Sequence, residues 1–294
     1  MRDIFIEELI SSAKKNKKLI LIVNDLGYGI VEKFANLFPK QFINAGVAEQ
    51  NMMGLAAGLA IEKNHVFVYS IGNFSTFRCA EQIRNDVDYH KLPVTIVNVG
   101  AGVSYGPLGY SHHSLQDYSL IRCMPNTLIA SPSESDELKK TLKFLLKKPQ
   151  SSYLRISKAK NTFHYSRKKK QVMTPGTWNL IKKGISKKTF LITGNTLNIA
   201  YNLISQKKYE NYSIYSIPLW GMKYKKNQAN QAKNFKHIIS IEDHLYDGGF
   251  GSWLNESFLE YGTSTKLSSI YLKEKIIGKV GSEEFLLKKY LKKI

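Results

Sequence analysis

The sequence contains very little cysteine: Cys79 and Cys123 are the only two in 294 residues. Two widely separated cysteines provide neither a disulfide framework nor the paired spacing of a zinc site. We therefore expect no metal centre built by this chain itself, and a reducing, cytoplasmic environment.

Long hydrophobic runs are absent as well. The longest uncharged apolar run, MMGLAAGLAI at 52–61, is about half as long as a membrane-spanning helix requires. The N-terminal residues MRDIFIEELI carry acidic side chains within their apolar part, which is not the pattern of a signal peptide. A hydrophobic content of 43% predicts a globular protein of one large or two ordinary domains, without a membrane span.

Arginine is scarce in a strongly basic chain. Of 43 basic residues only six are arginine, and the formal net charge is +20. The lysines are spread along the chain, and no helix-like segment interleaves basic and aromatic residues as a nucleic-acid-binding surface does. We expect no nucleic-acid partner and interpret the lysines as solvated surface, with an acidic protein partner or anionic substrates as the remaining explanation.

Apolar, β-branched segments alternate with helix-like segments along most of the chain. Apolar runs without strict alternation, separated by helices, are typical of parallel sheets covered on both faces. The predicted strands are residues 18–24, 41–45, 65–71, 93–99, 126–131, 151–157, 189–194, 212–218, 236–242 and 268–273. The predicted helices are residues 48–63, 76–90, 133–147 and 196–207, with further helices from about 251 and about 282. The last helix of the first series has a capping signal in Ser131, Pro132 and Ser133 followed by acidic residues.

The segment 158–176 is polar, highly charged and without periodicity. The predicted fold is therefore α/β with two domains, each a mostly parallel sheet flanked by helices. We place the first domain at residues 1–160, a linker at 161–176 and the second domain at 177–294.

Glu49 lies in the first turn of the predicted helix 48–63, at the start of its apolar run. An acid in this position often does no more than complement the helix dipole. The small residues Gly54 and Gly58 would let another backbone approach closely, and a carboxylate buried at such a contact needs a protonated or cationic partner.

Phe74 and Phe77 follow a predicted strand at its carboxyl end, where open α/β sheets bind ligands. Either ring could stack on a flat heterocycle or simply pack in the core. Arg78 is one of the six arginines, which indicates fork-like ion pairing that lysine performs less well.

The segment 100–126 begins with a long glycine-rich loop that ends in His112 and His113. Long loops of this kind inside compact domains are usually functional or disordered. One histidine is a candidate polar contact to a substrate, and no carboxylate at helical spacing completes a metal pair. The turn DGGFG at 247–251 resembles a phosphate-binding turn only loosely, and a tight connection explains it better.

Together, the segments GVAEQNMMGLAAGLA, FRCAEQIRNDV, SHHSLQDYSLIRCMPN and IISIEDHLYDGGFG resemble the C-terminal half of transketolases, in the order of that family. The resemblance extends from Asp25 to about Ser257. It implies thiamine diphosphate as cofactor, with Glu49 binding the nitrogen of its aminopyrimidine ring. Phe74 matches the aromatic that stacks on the pyrimidine, with Phe77 as the alternative and Arg78 next to the cofactor.

The resemblance also implies a sugar site. His112 matches the histidine that contacts the oxygens of the reacting sugar, with Ser111 replacing the usual threonine, and Asp117 and Arg122 match the pattern. Arg155 and Lys158 are candidates to bind an anionic end of the substrate.

Two positions depart from the family pattern. Leu108 stands where transketolases carry an aspartate, and Gly100 stands where many members carry a phosphate-binding histidine. The implied chemistry is therefore better supported than any particular sugar.

The Gly-Asp-Gly motif, with which these enzymes bind Mg²⁺ and the diphosphate, does not occur in the sequence. The resemblance therefore implies a split enzyme. A separate N-terminal subunit would supply the diphosphate domain and bind most of the Mg²⁺, in an α₂β₂ assembly with contacts between identical subunits. The expected reaction is transfer of a two-carbon ketol unit from a ketose or its phosphate to an aldose.

Three other interpretations remain open from the sequence. The same two domains occur in the β subunit of 2-oxo acid dehydrogenases, and deoxyxylulose-phosphate synthases share the paired histidines. A non-catalytic binding protein that retained the fold is the third. Glu49, Phe74 and His112 occurring together favour an enzyme, since a fold alone does not fix a function.

Overall fold

The computed structural model describes residues 1–158 and 173–292. Residues 161–172 of the predicted linker lie outside the described residues. The strands are β1 (Leu19–Val23), β2 (Phe42–Asn44), β3 (His65–Ile71), β4 (Val94–Val99), β5 (Leu128–Ala130), β6 (Ser152–Ile156), β7 (Asn179–Lys182), β8 (Lys188–Ile192), β9 (Ser213–Ser216), β10 (Leu219–Trp220), β11 (His237–Leu245) and β12 (Lys266–Leu272). The helices are α1 (Arg2–Ala13), α2 (Glu32–Leu37), α3 (Glu49–Ile61), α4 (Gly72–Ser75), α5 (Ala80–Gln82), α6 (Asp117–Ile121), α7 (Ser135–Lys147), α8 (Leu197–Ile204), α9 (Lys225–Ala232), α10 (Phe250–Tyr261) and α11 (Glu283–Tyr290).

The predicted fold class is confirmed. Each half of the chain contributes a mostly parallel sheet flanked by helices. The first sheet has the order β10-β5-β6-β4-β3-β1-β2, and the second has the order β12-β11-β8-β9-β7. Strands β1, β4 and β6 are buried along their whole length, as expected of strands covered on both faces. The domain boundaries themselves remain a prediction.

Two strands were not predicted, and both are antiparallel to their neighbours. Strand β7 pairs with β9 at the edge of the second sheet. Strand β10 follows β9 in the chain but joins the first sheet, where Leu219 pairs with Ala130 and Trp220 with Ile129. These segments are too short for periodicity to reveal them. The seventh strand of the first sheet therefore comes from the second half of the chain.

The packing between the two halves is apolar and extensive. A single buried cluster contains Tyr118 and Ile121 from helix α6 together with Trp220, Phe250 and Trp253. Trp220 is fully buried, with its ring 5.0 Å from both the Tyr118 and Trp253 rings. At about 25 cal/mol for each Å² of apolar surface, these large aromatic side chains are a major source of interdomain stability.

The predicted helix 76–90 is wrong in detail. The range contains a 3₁₀ turn at Phe77–Cys79, the short helix α5 and a π-helical segment at Ile83–Asp88. Just before this range, Gly72 packs closely against its neighbours, because a Cβ there would collide with the side chains of Asn98 and Ser114. Phe74 lies in α4 and Arg78 in the 3₁₀ turn, and the π-helical segment follows them; segments of this kind occur frequently at functional sites.

Helix α7 begins slightly later than predicted and is capped by a different residue. The Glu134 carboxylate accepts hydrogen bonds from the backbone N–H groups of Asp136 at 2.8 Å and Glu137 at 2.9 Å. Glu137 in turn accepts from the backbone N–H of Ser133 at 2.7 Å. Two glutamates thus satisfy the free donors of the first turn. Among residues 1–158 and 173–292, no helix is long and apolar enough to cross a membrane.

Candidate active site

Glu49 is the first residue of helix α3, at the carboxyl edge of the first sheet. Its side chain is only 8% exposed. Its Oε1 atom accepts hydrogen bonds from Asn24 Nδ2 at 3.1 Å and from Arg78 Nη1 at 2.5 Å. Asn24 directly follows strand β1, so the strand and the helix together fix the carboxylate. The helix N-terminus and these two donors all point at the carboxylate.

Arg78 connects Glu49 to the aromatic residue that the sequence singled out. The Arg78 Cζ atom lies 4.1 Å from the centre of the Phe74 ring, a cation–π contact. The His112 ring lies 5.3 Å from the same Phe74 ring, edge to face. Phe77 is 49% exposed, and it is Phe74 that carries these ring contacts.

His112 and His113 have different environments. His112 is partly buried, and its Nδ1 atom lies 2.9 Å from Ser111 Oγ. Partial burial, and then the nearby charge of Arg78, lower the pKa of His112 from its ordinary value. His113 is fully buried, with Nε2 lying 3.2 Å from the Gly106 carbonyl. Only His112 of the pair thus faces the site, as a neutral imidazole near pH 7.

Asn73 fixes the loop that carries His112. Its Nδ2 atom donates to the carbonyls of His113 at 2.9 Å and of Ser111 at 3.2 Å. Because Asn73 directly precedes Phe74, the stacking ring and the histidine are held in one unit. The sequence interpretation had not identified Asn73 or Asn24.

Lys158 lies at the rim of the site. Its side chain is exposed, and Nζ is 5.2 Å from the Tyr105 ring. Tyr105 in turn contacts His112, with ring centres 6.2 Å apart. Glu49, Arg78, Phe74, His112 and Lys158 therefore form one continuous series of side chains at this edge of the sheet.

A family model described as "Transketolase, pyrimidine binding domain" matches residues 1–162. The chain is 31% identical, over 99% of its length and 91% of the relative, to a putative transketolase C-terminal section of Methanocaldococcus jannaschii. It is 28% identical, over 92% of its length and 86% of the relative, to an apulose-4-phosphate transketolase subunit of Phocaeicola vulgatus. The chain belongs to the transketolase family.

Two further likenesses concern the fold and the length of the match. A solved structure described as "Split gene transketolase, inactive beta4 tetramer" has a TM-score of 0.83, covers 98% of this chain and 92% of its own, and is 24% identical, which shows the fold alone. The 1-deoxy-D-xylulose-5-phosphate synthase of Syntrophomonas wolfei is 27% identical over 94% of this chain, but the match covers 43% of that enzyme.

Arg155 does not reach the surface of this transketolase-family subunit. Its side chain is 0% exposed and is held between Asp117 at 2.7 Å and Asp243 at 2.5 Å, with Nη2 donating to the Ser114 carbonyl at 2.9 Å. The prediction that Arg155 binds the anionic end of a substrate is therefore inconsistent with the structure. Asp117 also accepts from the Tyr153 hydroxyl at 2.6 Å and is fully buried.

The two departures from the transketolase pattern differ in their structural setting. Gly100 has φ +96°, and a Cβ there would collide with the Tyr105 ring, so a side chain has no room at this position. Leu108 is 54% exposed, in a 3₁₀ turn close to the site. Leu108 therefore offers an apolar contact where the family pattern has a carboxylate.

The chemistry around Glu49 suits the aminopyrimidine of thiamine diphosphate. Ala48, Glu49, Gln50, Asn51 and Arg78 line an open depression of about 580 Å³. Beside it, Asn24 Oδ1 is buried and has no hydrogen-bond partner within the described part of the chain. An unused acceptor, an acidic group and an aromatic face match the donors and the flat ring of an aminopyrimidine. Across residues 1–158 and 173–292, no three His, Cys, Asp or Glu side chains are grouped to bind a metal ion.

Proposed function

We propose that the chain is one subunit of a two-component transketolase-like enzyme that transfers a two-carbon ketol unit from a ketose or ketose phosphate to an aldose. The observation that carries the proposal is the grouping of Glu49, Phe74 and His112 at one opening on the carboxyl edge of the first sheet. Open α/β sheets bind their ligands at this edge.

Glu49 and Phe74 would hold the pyrimidine end of thiamine diphosphate. This cofactor, when bound, supplies the electron sink for cleaving and forming the carbon–carbon bond. Glu49 would share a proton with the ring nitrogen, and Asn24 would keep the carboxylate pointing at it. Both Asn24 and Glu49 are more than nine-tenths buried, so water competes little for this proton.

His112 would act on the sugar. Ser111 contacts Nδ1 and thereby leaves Nε2 to face the oxygen atoms of the substrate. A neutral imidazole both accepts and donates a proton, which suits an oxygen that alternates between carbonyl and hydroxyl. Lys158, exposed at the rim, would attract the phosphate of a sugar phosphate as a mobile point charge.

The diphosphate and most of the Mg²⁺ contacts would come from an N-terminal partner subunit carrying the Gly-Asp-Gly motif. Helix α3 and the residues before it support a docking role, because Leu55 and Ile61 on the helix are 36% and 62% exposed and Val47, which precedes it, is 75% exposed. Gly54 and Gly58 are also on this helix. Apart from the helix's own backbone, no atom of the described residues comes within 4 Å of the position that a Cβ would take at either glycine, so another backbone has room to approach. An α₂β₂ assembly would bury this surface.

The names of the relatives support a two-component enzyme, since one is described as a C-terminal section and the other as one subunit of a transketolase. The solved neighbour described as an inactive β₄ tetramer supports the view that such subunits assemble without a partner and are then inactive. A deoxyxylulose-phosphate-synthase-like reaction is the second candidate, favoured by the shared sequence over 94% of this chain.

Titration calorimetry would test the proposal. Thiamine diphosphate with Mg²⁺ is added to the chain alone and to its mixture with a candidate partner carrying Gly-Asp-Gly. We expect binding and ketose turnover only in the mixture. Glu49→Gln should abolish turnover, whereas the control Glu62→Gln, at the exposed far end of the same helix, should retain it.

Other outcomes discriminate among the alternatives. Tight binding by the chain alone would contradict the need for a partner. A complex that consumes pyruvate with release of CO₂, and does not transfer ketol units, would favour the synthase or dehydrogenase reaction. A stable complex that binds no cofactor would favour a non-catalytic protein.

A further inference from the structure

The guanidinium of Arg78 occupies the space between Glu49 and Phe74. Arg78 Nη1 donates to Glu49 Oε1 at 2.5 Å, and Arg78 Cζ lies 4.1 Å from the centre of the Phe74 ring. A single flat group thus satisfies the carboxylate with its edge and the aromatic ring with its face.

These two contacts are of the same kind as those proposed above for the aminopyrimidine ring of the cofactor. A guanidinium and an aminopyrimidine are both planar, both present N–H donors at an edge, and both stack on aromatic rings. A pyrimidine that contacts Glu49 and Phe74 at the same time would need the position that the Arg78 guanidinium now occupies. Phe74 already has the His112 ring 5.3 Å away, which restricts a second stacking position.

We propose that Arg78 is a positioning residue that stands in for the cofactor's aminopyrimidine in the free subunit and leaves when the cofactor binds. The inference rests on the proposed function, and it replaces the expectation that Arg78 stays in contact with the cofactor. In the free subunit the guanidinium keeps a buried carboxylate paired and lies over the Phe74 ring.

The Arg78 side chain is free to move into solvent, whereas the Glu49 side chain is held in place by its burial. The Arg78 side chain is 50% exposed and so has a direct path to solvent, but the Glu49 side chain is 8% exposed. Asn24 holds Glu49 Oε1 from the buried side independently of Arg78. When Arg78 moves away, the carboxylate keeps one donor from the protein and gains others from the cofactor, so it is never left bare.

The displaced contacts set the size of the effect. The cofactor must displace one half-exposed ion pair and one exposed cation–π contact, each of which stabilises the free subunit modestly. Breaking both contacts weakens the apparent affinity for the cofactor by roughly 3- to 30-fold, since the Arg78 side chain must leave before the pyrimidine can bind.

Cofactor affinity provides the test. The dissociation constant of thiamine diphosphate, in the presence of Mg²⁺, is measured for the complex with the partner subunit. Arg78→Ala should bind the cofactor roughly 3- to 30-fold more tightly than the unmodified complex. Arg84→Ala is the matched control, because it removes the same charge six residues along the chain, where the guanidinium donates to the exposed side chain of Asn85. The complex that carries Arg84→Ala should bind the cofactor with unchanged affinity.

A second measurement uses the chain alone. The free aminopyrimidine half of thiamine is added while the arginine side-chain signals are followed by ¹⁵N NMR, which is tractable because the chain has only six arginines. We expect the Arg78 guanidinium signal to change from a restrained to a freely rotating group, and the Arg84 signal to stay as it is.

The outcomes separate this proposal from the proposed function. If the complex binds the cofactor and Arg78→Ala binds it equally or more weakly, the displacement is refuted, while the proposed function stands; weaker binding would make Arg78 a lasting cofactor contact. If neither the unmodified complex nor any variant binds the cofactor, the proposed function fails, and this proposal fails with it.

Discussion

Replacing Arg155 by methionine should be among the most damaging single changes in the chain. Arg155→Met keeps most of the side-chain volume but removes the charge and every donor. It leaves Asp117, with a side chain 0% exposed, and Asp243, 6% exposed, without the cation that now pairs them. It also frees the Ser114 carbonyl, which accepts from Arg155 Nη2 at 2.9 Å.

The expected cost follows from burial. Breaking a buried ion pair by removing one partner costs about 3–5 kcal/mol, because the remaining charge has no solvent to stabilise it. Asp117 keeps the Tyr153 hydroxyl at 2.6 Å, so we expect the lower half of that range, about 3–4 kcal/mol. The matched control is Arg122→Met. Arg122 also bridges the two halves, but its Glu256 partner is 41% exposed, so the expected loss is about 1 kcal/mol.

The assay is urea-induced unfolding, followed both by circular dichroism and by tryptophan fluorescence. Two probes are needed because a two-domain protein need not unfold in a single step. If Arg155→Met loses no more free energy of unfolding than Arg122→Met, the interpretation of Arg155 as the central interdomain ion pair is refuted.

Two smaller predictions concern other buried groups. Burial lowers the pKa of His65 from 6.5 to about 4, so the stability that neutral His65 contributes is complete above pH 6.5 and is lost as the pH falls to 4. His65→Gln should flatten this fall in the free energy of unfolding, measured by urea titration across that pH range. His90→Gln, at an exposed histidine, should not change it. Gly102→Ala should lower the melting temperature more than Gly262→Ala, because both have φ near +60° to +70° but only a Cβ at Gly102 would lie 2.7 Å from Asp243 Oδ2. Equal shifts for the two glycine variants would contradict the second prediction.

The central strands were predictable because each is an apolar run buried on both faces, such as Leu19–Val23 and Val94–Val99. Strand Leu219–Trp220 was not predictable, because two residues are too few to show a hydrophobic pattern. Their pairing with Ile129 and Ala130 is decided by tertiary packing. The helix predicted at 76–90 is broken for a similar reason, because tertiary contacts decide the path of the chain there. Arg78 pairs with Glu49, and Asp88 accepts hydrogen bonds from the Asn126 backbone N–H and the Thr127 hydroxyl.

The grouping of Glu49, Phe74 and His112 could be anticipated, because each follows a strand and the carboxyl ends of parallel strands share one edge. The role of Asn24 could not be anticipated, because short polar residues commonly follow strands for purely structural reasons. The burial of Arg155 was equally hidden. Its partner Asp243 lies 88 positions away, and nothing in the local sequence indicates that the two meet.

Strand β10 has a consequence for the order in which the molecule folds. While the chain is being synthesised, residues 1–158 emerge first, yet the outer edge of strand β5 has no neighbour until Leu219 and Trp220 follow. An uncovered strand edge invites pairing with other chains. The first half is therefore a poor candidate for an independent fragment, and the period between the synthesis of residue 130 and that of residue 220 is when this protein is most exposed to misassembly.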